Sequence, residues 1–342
     1  MNAKELVNLK LKANKADRIL FCPAIYEHKA KLIGKSPSQV ACDTELLEKA
    51  VIAEYETYHP DMLTVGIDVY NVEAEALGCG VLFPDNISGT PVIHKRILDS
   101  INDVNKLISV DPQRSGRMPV FLEAAKKVHE KLGDEIYIRG AVTGPFSMAA
   151  ELLGLEPLIL AMVKQPDEYV KLLNLCCDVA ICYGLAFIER GLQICIFDSQ
   201  ASPPMTSPGY YQRLVVPHVA RLIRELKKAG AKFVEYVVGG DTTNICHSML
   251  SVGADIILCD FNADVNTFVK NEQAAKILIR RNIDLRTIEN SSKENILEQT
   301  STVIELAKRH SNIIIGTSVI SYNTELKHLL EVKKFLENGL RK

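Results

Sequence analysis

The sequence lacks an excess of charge of either sign. Its 342 residues carry 40 Lys plus Arg against 42 Asp plus Glu, a formal net charge of -2. Proteins that bind nucleic acid or an anionic membrane surface usually do so through clustered positive charge. We therefore expect no nucleic acid and no membrane among the partners of this protein.

Long apolar runs and a secretion signal are also missing. Residues 1–15 mix Lys, Glu and Asn without an apolar core, and no run of about 18 uncharged apolar residues occurs elsewhere. The nine cysteines form no C-x-x-C pair, and several lie in apolar runs such as 192–197, where a thiol packs as a small hydrophobic side chain. We expect a cytoplasmic protein with reduced thiols.

Apolar material is abundant: 47% of the residues are hydrophobic and 24% are charged, which is typical of a globular protein with a sizeable core. This composition excludes disorder and fibrous structure. The length is compatible with two domains or with one large barrel. We find no internal repeat and no linker between domains.

Short β-rich runs alternate with long amphipathic segments almost from end to end, which predicts a parallel sheet covered by helices. Eight such runs occur, the number that closes a (β/α)₈ TIM barrel, so we predict a single domain over residues 1–342 with a short N-terminal extension. The predicted strands are Arg18–Ile25, Met62–Asp68, Glu135–Val142, Leu192–Ser199, Lys232–Gly239, Asp255–Asp260, Lys276–Asp284 and Asn312–Val319.

Helix boundaries are marked by capping residues. Ser207 and Pro208 are typical of a helix start, and Gly230 of its end. Pro166 opens a helix that ends at Gly191, and residues 291–294 have capping-box spacing. Residues 78–111 show little periodicity and predict a long excursion over one end of the barrel. Loops of this length are often functional.

Catalytic groups of such barrels lie where the strands end, and four predicted strands end in aspartate. These are Asp68, Asp198, Asp260 and Asp284. Each one alone is equally compatible with a helix-capping or turn residue. Four of them around one rim favour a polar site.

The same segments resemble the uroporphyrinogen decarboxylase superfamily, and in particular its corrinoid-dependent methyltransferases. The resemblance covers nearly the whole chain and rests on the order and spacing of the segments together. They are Pro23-Ala24-Ile25 with His28 and Gly34, Asp68 with residues 73–78, Thr143-Gly144-Pro145-Phe146, Asp198 with residues 206–208 and 217–218, residues 240–243, and Asn282-Ile283-Asp284.

Two departures from the family pattern narrow the function. The R-Q-A-G-R element with which the decarboxylases bind substrate carboxylates corresponds here to residues 21–28, which contain no arginine. Members that methylate thiols bind zinc through an H-x-C-G pair and a later G-C pair. The resemblance places Val237, Gly239 and Thr317 at the three ligand positions, so we expect no zinc at that location.

A protein without this zinc has no thiolate to prepare, so we consider cleavage of a methyl–oxygen bond instead. This reaction needs a proton for the leaving oxygen. Our catalytic candidates are Asp198 and Glu235, whose side chains we expect to converge, together with Asp68, which resembles the catalytic aspartate of the decarboxylases. Glu235 has a structural alternative, as a buried partner of a base such as Arg139 or as an outward-facing residue. The substrate-binding candidates are Tyr70, Phe146, Met148, Gln200, Met205, Asp260, Asn282 and Thr317. Core filling is the alternative for the two methionines, and Phe146 is equally ambiguous.

The resemblance implies a methyltransferase that moves a methyl group between a small substrate, with a methoxylated aromatic favoured, and the cobalamin of a separate corrinoid protein. Three alternatives stay open: transfer from methylcobalamin to a tetrahydrofolate, decarboxylation of a small carboxylate, and an inactive barrel that only binds a corrinoid protein. The direction of transfer and a homodimeric state also stay open.

Overall fold

The computed structural model of the protein describes residues 1–13, 18–284 and 293–339, so the predicted cap at Ser291 and Ser292 lies outside the described residues. Each of the eight predicted strands is present but shorter than predicted, and the strand predicted at Glu135–Val142 ends one residue beyond its predicted bound. A two-stranded hairpin is added. The strands are β1 Phe21–Cys22, β2 Met62–Val65, β3 Gly80–Leu82, β4 Val92–Lys95, β5 Tyr137–Thr143, β6 Gln193–Phe197, β7 Val234–Val237, β8 Ile256–Cys259, β9 Leu278–Ile283 and β10 Ile313–Thr317.

Eight strands form one parallel sheet in the order β1-β10-β9-β8-β7-β6-β5-β2. The sheet curls round on itself, and Asp61, just before β2, joins its two edges. The Asp61 amide donates to the Phe21 carbonyl at 2.9 Å, and the Phe21 amide donates to Asp61 Oδ2 at 2.7 Å. The predicted TIM barrel is therefore confirmed.

Helices surround the barrel. They are α1 Ala3–Ala13, α2 His28–Leu32, α3 Pro37–Ala41, α4 Thr44–Tyr58, α5 Asn71–Ala76, α6 Met118–Leu132, α7 Pro145–Leu153, α8 Leu155–Lys164, α9 Pro166–Ile188, α10 Pro208–Tyr210, α11 Val216–Lys228, α12 Cys246–Leu250, α13 Val265–Val269, α14 Lys293–Arg309 and α15 Leu326–Gly339. The predicted caps that fall on described residues are present: the Ser207 side chain accepts a hydrogen bond from the Tyr210 amide, and Gly191 and Gly230 have positive φ just after α9 and α11.

Helix α9 is the one helix in the described part of the chain that is long and apolar enough, by length and composition, to cross a membrane. More than half of its apolar window is buried inside the protein, and it packs against β5, α7 and α11. The core helix of a soluble protein has the same properties, so this observation is weak evidence for a membrane span.

The barrel wall is buried on both faces. Its outer face packs against the helices through residues such as Val65, Ile138 and Ile194. Its inner face contributes two apolar layers to the lumen. The basal layer, closed from below by Leu6 and Val7 of α1, comprises Leu20, Cys22, Met62, Tyr137, Phe233, Ile256, Leu278 and Ile314. The upper layer comprises Ala24, Tyr26, Cys195, Phe197, Val237 and Leu258.

The predicted excursion over residues 78–111 contains the β3–β4 hairpin and a short 3₁₀-helix, Ile101–Lys106. The hairpin was not predicted from the sequence. Apolar side chains are unusually exposed here: Leu82, Ile87, Val92, Ile97 and Ile108 are each 42–68% exposed. Exposed apolar side chains concentrated in one segment are typical of a surface that contacts a partner.

Candidate active site

Polar groups converge where the barrel strands end. Asp260, which follows β8, accepts hydrogen bonds from the Gly240 amide at 3.0 Å, the Phe261 amide at 2.9 Å and Asn282 Nδ2 at 3.0 Å. The Gly239 amide donates to Ser199 Oγ at 3.0 Å. These contacts hold the loops after β6, β7 and β8 together, and they bring the predicted residues Asp260 and Asn282 side by side.

The floor of this mouth is the upper layer. Tyr26 and Phe197 meet edge to face, with ring centroids 5.4 Å apart. Tyr70 packs on the same layer, and its φ of 82° lies in the left-handed region that a bulky side chain rarely adopts. Such strain persists only where surrounding contacts enforce it, and it is commonest at functional sites. The predicted residue Tyr70 is therefore at the mouth.

Glu235 lies one side-chain level below Val237 of the upper layer and is fully buried between two arginines. Arg139 Nη1 of β5 contacts Glu235 Oε2, and Arg280 Nε of β9 is 3.0 Å from Glu235 Oε1. The structural alternative, a carboxylate paired with Arg139, is therefore the arrangement observed. Both carboxylate oxygens face arginines, so the geometry gives Glu235 no support as a proton donor.

Asp198 lies on the other face of the barrel wall. Phe197 points into the lumen, so the next side chain points towards the helices. Asp198 Oδ1 accepts a hydrogen bond from the Ser147 amide at 2.7 Å, in the first turn of α7. A Cβ at Gly144 would lie 2.3 Å from Asp198 Cγ, which explains the glycine. The expected convergence of Asp198 and Glu235 is therefore wrong.

Burial still perturbs Asp198. It raises the pKa of this carboxyl to about 6, against the hydrogen bonds from the start of α7, which lower it. The adjacent tyrosines are equally buried, and the Tyr211 and Tyr236 hydroxyls are 2.9 Å apart. Asp198 is thus placed to fix α7 against the barrel.

Asp68 follows β2 and is 5% exposed. Its Oδ2 is 2.6 Å from Arg117 Nη2, and Asn71 Nδ2 donates to its Oδ1. Burial raises the pKa of Asp68 to about 6, while the charge of Arg117 lowers it. A small enclosed cavity connects Asp68 to Ala141 and Phe197, which places this carboxyl beside the upper layer of the lumen.

The remaining substrate-binding candidates divide into two groups. Phe146 and Met148 are fully buried in the layer between barrel and helices, so they fill the core and do not line the mouth. Gln200 and Met205 lie in the loop after β6, partly exposed, and Gln200 Nε2 donates to Glu151 Oε1.

The three positions that resemble zinc ligands do not suit the metal. Val237 belongs to the apolar upper layer, and Gly239 has no side chain. Thr317 Oγ1 is buried and accepts a hydrogen bond from the Ala24 amide at 3.1 Å. Zinc in proteins prefers thiolate and imidazole ligands, and no cluster of three metal-binding side chains occurs within the described ranges. These residues therefore do not fit the zinc of the thiol-methylating members.

Sequence reasoning missed Arg280, Arg117 and Tyr26. A signal for Arg280 was available, because it precedes Asn282 by two positions and so shares its face of the strand. Arg117 had no such signal, since its contact with Asp68 depends on how residues 78–116 fold back on the barrel.

The fold and the site together define a class: a (β/α)₈ barrel with converging polar groups at the carboxyl ends of its strands, as in enzymes of this architecture. The family model for uroporphyrinogen decarboxylase (URO-D) matches residues 2–336. The chain belongs to this family.

Curated relatives include both branches of the superfamily. The chain is 26% identical over 296 residues to methylcobamide:CoM methyltransferase MtbA of Methanosarcina mazei, covering 85% of each chain. It is 26% identical over 206 residues to uroporphyrinogen decarboxylase of Myxococcus xanthus, covering 58% of this chain and 54% of the relative. Among solved structures, a methyltransferase from Methanosarcina mazei superposes with a TM-score of 0.87 at 18% identity, covering 99% of both chains, which confirms the fold.

Proposed function

We propose that this protein is a corrinoid-dependent methyltransferase that moves a methyl group between a small methylated substrate and the cobalamin of a partner corrinoid protein. The names of the methanogen relatives support the corrinoid part. The corrinoid supplies a cobalt centre that takes up or gives back a methyl group. The exposed apolar side chains of residues 78–111 are a suitable surface for the partner protein.

The observation that carries the substrate proposal is the chemistry of the three positions that resemble zinc ligands. Val237, Gly239 and Thr317 offer neither thiolate nor imidazole, so a zinc-activated thiol is a poor fit. The upper layer, with Tyr26 and Phe197, instead gives the mouth of the barrel a buried aromatic floor. A methoxylated aromatic suits this floor, and we place it first among methyl donors.

An oxygen leaving group needs a proton, and Asp68 is the carboxyl best placed to donate it. Its raised pKa keeps a protonated fraction near neutral pH, and it adjoins the upper layer through the cavity at Ala141 and Phe197. Arg117 and Asn71 orient the group. Asp198 and Glu235 hold the barrel together in this proposal, on the contacts described above.

The test is Asp68→Asn, with methoxyarenes as donors and free cob(I)alamin as acceptor, followed by the loss of cob(I)alamin absorbance. Loss of a general acid should lower the rate on the order of 10²–10⁴-fold with little change in substrate affinity. Because the protonated form donates, the parental rate should fall as the pH rises through about 6. Glu56→Gln, on the exposed surface of α4, is the control and should retain the parental activity.

A parental rate in Asp68→Asn would exclude this residue as the acid. Absence of transfer from every methoxyarene would exclude the donor class. In that case methyl transfer to a tetrahydrofolate is the second candidate, because Asp260 and Asn282 lie together at the rim, where they could hold the edge of a pterin.

A further inference from the structure

The lumen of the barrel contains unequal numbers of positive and negative side chains. Arg139 and Arg280 both contact Glu235, and all three residues are at most 2% exposed. Two guanidinium groups therefore share a single carboxylate. A buried charge without a counter-charge is costly in a medium of low dielectric constant.

No second carboxylate forms an ion pair with Arg139 or Arg280 within the described residues. The buried Lys29 is matched by Glu54, whose Oε2 is 2.9 Å from Lys29 Nζ. Burial raises the pKa values of Cys22, Cys195 and Tyr26, so these groups stay neutral. Asp260 is held at the rim by two backbone amides and Asn282. The ion-paired cluster around Glu235 therefore contains two cations and one anion.

Unused hydrogen-bonding atoms lie at the same place. Arg280 Nε is buried and makes no well-directed hydrogen bond within the described residues, although it lies 3.0 Å from Glu235 Oε1. Asn282 Nδ2 is bound to Asp260, while Asn282 Oδ1 is buried and has no partner among the described residues.

The neighbouring strand β10 leaves room for these side chains. A Cβ at Gly316 of β10 would lie 2.6 Å from Asn282 Oδ1 and 2.9 Å from Arg280 Cδ. Only a glycine at this position admits both groups, so Arg280 and Asn282 both point into the lumen.

We propose that Arg280 binds the carboxylate of the substrate, and that the substrate class is therefore a methoxyarene with its carboxylate opposite the methoxy group. This inference rests on the proposed methyl transfer and names its substrate more closely. A carboxylate would complete the charge balance of the two arginines and accept hydrogen bonds from the Arg280 guanidinium, a planar group that binds carboxylates through two parallel hydrogen bonds.

The side chains of the lumen also provide contacts for the aromatic ring and the methoxy group of such a substrate. Leu258 is level with Arg280, whereas Phe197 and Val237 lie one side-chain step beyond Cys195 and Glu235 on their strands, so these two side chains lie between Glu235 and the mouth. An aromatic ring held among Tyr26, Phe197 and Leu258 then directs its para substituent towards the mouth. The methyl carbon faces the partner protein there.

Binding measurements test the proposal without any corrinoid. Titration calorimetry compares 4-methoxybenzoate with its neutral isostere 4-methoxybenzamide. The parental protein should bind the carboxylate on the order of 10–100-fold more tightly, the usual size of a charged hydrogen bond. Arg280→Met should abolish this preference and still fold, because Arg139 and Glu235 remain as a one-to-one pair. Arg280→Lys should restore part of it.

Arg221→Met is the matched control, because Arg221 pairs with Asp178 on the surface and should leave the preference unchanged. If Arg280→Met fails to fold, Glu235→Gln provides a second measurement. This variant contains two arginines without a carboxylate partner. Addition of 4-methoxybenzoate should therefore raise the melting temperature of Glu235→Gln more than it raises the melting temperature of the parental protein. Equal affinity for the two ligands, or a preference that survives in Arg280→Met, would overturn the proposal.

Methyl transfer is assayed separately, so the two proposals fail in different ways. Binding of the carboxylate that depends on Arg280, without transfer to cob(I)alamin, supports the anion site and contradicts the methoxyarene function. Equal transfer rates and equal KM values for the acid and the amide support the function and overturn the anion site.

Discussion

Glu235 and Asp198 are carboxylates on neighbouring strands, both fully buried, yet the protein accommodates them in opposite ways. On the inner face of the wall, two arginines contact the two oxygens of Glu235. On the outer face, Asp198 receives an amide hydrogen bond from the start of α7, and burial raises its pKa to about 6. The comparison shows two ways of satisfying a buried carboxyl group. Charged side chains do so in the lumen, and the backbone amides of a helix start do so outside it.

A substitution on the inner face of the barrel wall should have the largest effect on stability. Glu235→Gln leaves two buried arginines without a carboxylate, and breaking a buried pair in this way typically costs about 3–5 kcal/mol of unfolding free energy. Urea unfolding followed by circular dichroism measures the loss, with the exposed Glu56→Gln as control. A loss below about 1 kcal/mol would mean that the arginines find other partners.

A substitution of Asp198, on the outer face, should instead change how the unfolding free energy depends on pH. The pKa of Asp198 is higher in the folded state than in the unfolded chain, so its stabilising contribution is complete below about pH 4 and is lost as the pH rises through about 6. Asp198→Asn does not ionise, so its unfolding free energy relative to that of the parental protein should increase by about 1.5 kcal/mol between about pH 5 and pH 8.

Unfolding free energies at both pH values provide this comparison, and the titration of Asp68 cancels because both proteins contain it. The exposed Asp178→Asn should show no such gain. A parallel pH dependence in Asp198→Asn and the parental protein would show that folding does not raise the pKa of Asp198.

The smallest effect concerns the tyrosines beside Asp198. Tyr211→Phe removes the hydrogen bond between the Tyr211 and Tyr236 hydroxyls and should cost about 1 kcal/mol. The methyl-transfer rate should stay within about a factor of two, since Tyr211 lies outside the lumen. A large loss of rate at unchanged stability would mean that the outer face takes part in the chemistry.

The barrel could be predicted from the sequence because the alternation of short apolar runs with long amphipathic ones has one simple architectural solution. The strand bounds are shorter than predicted, since the apolar runs extend beyond the hydrogen-bonded residues. The hairpin β3–β4 was missed because its strands of three and four residues are partly exposed and have no apolar alternation.

The direction of each side chain was harder to predict. Both faces of a parallel barrel wall are apolar, so the hydrophobic pattern does not show which residues point inward. In the structure, Cys195 pairs with Glu235 and Phe197 with Val237, which places Glu235 inside and Asp198, one residue after Phe197, outside. The pairing of Glu235 with Arg139 was foreseen as an alternative, whereas the second arginine was not.

The closure of the barrel has a consequence for biosynthesis. β1 pairs with β10, so Phe21 lies opposite Ile315, and Leu6 and Val7 pack beneath Ile314. A chain emerging from the ribosome exposes these first apolar segments long before their partners are made. Contacts so distant in sequence form late and slowly. We expect the nascent chain to depend on chaperones until almost its last strand has been synthesised, and C-terminal truncation before β10 to yield insoluble protein rather than a smaller barrel.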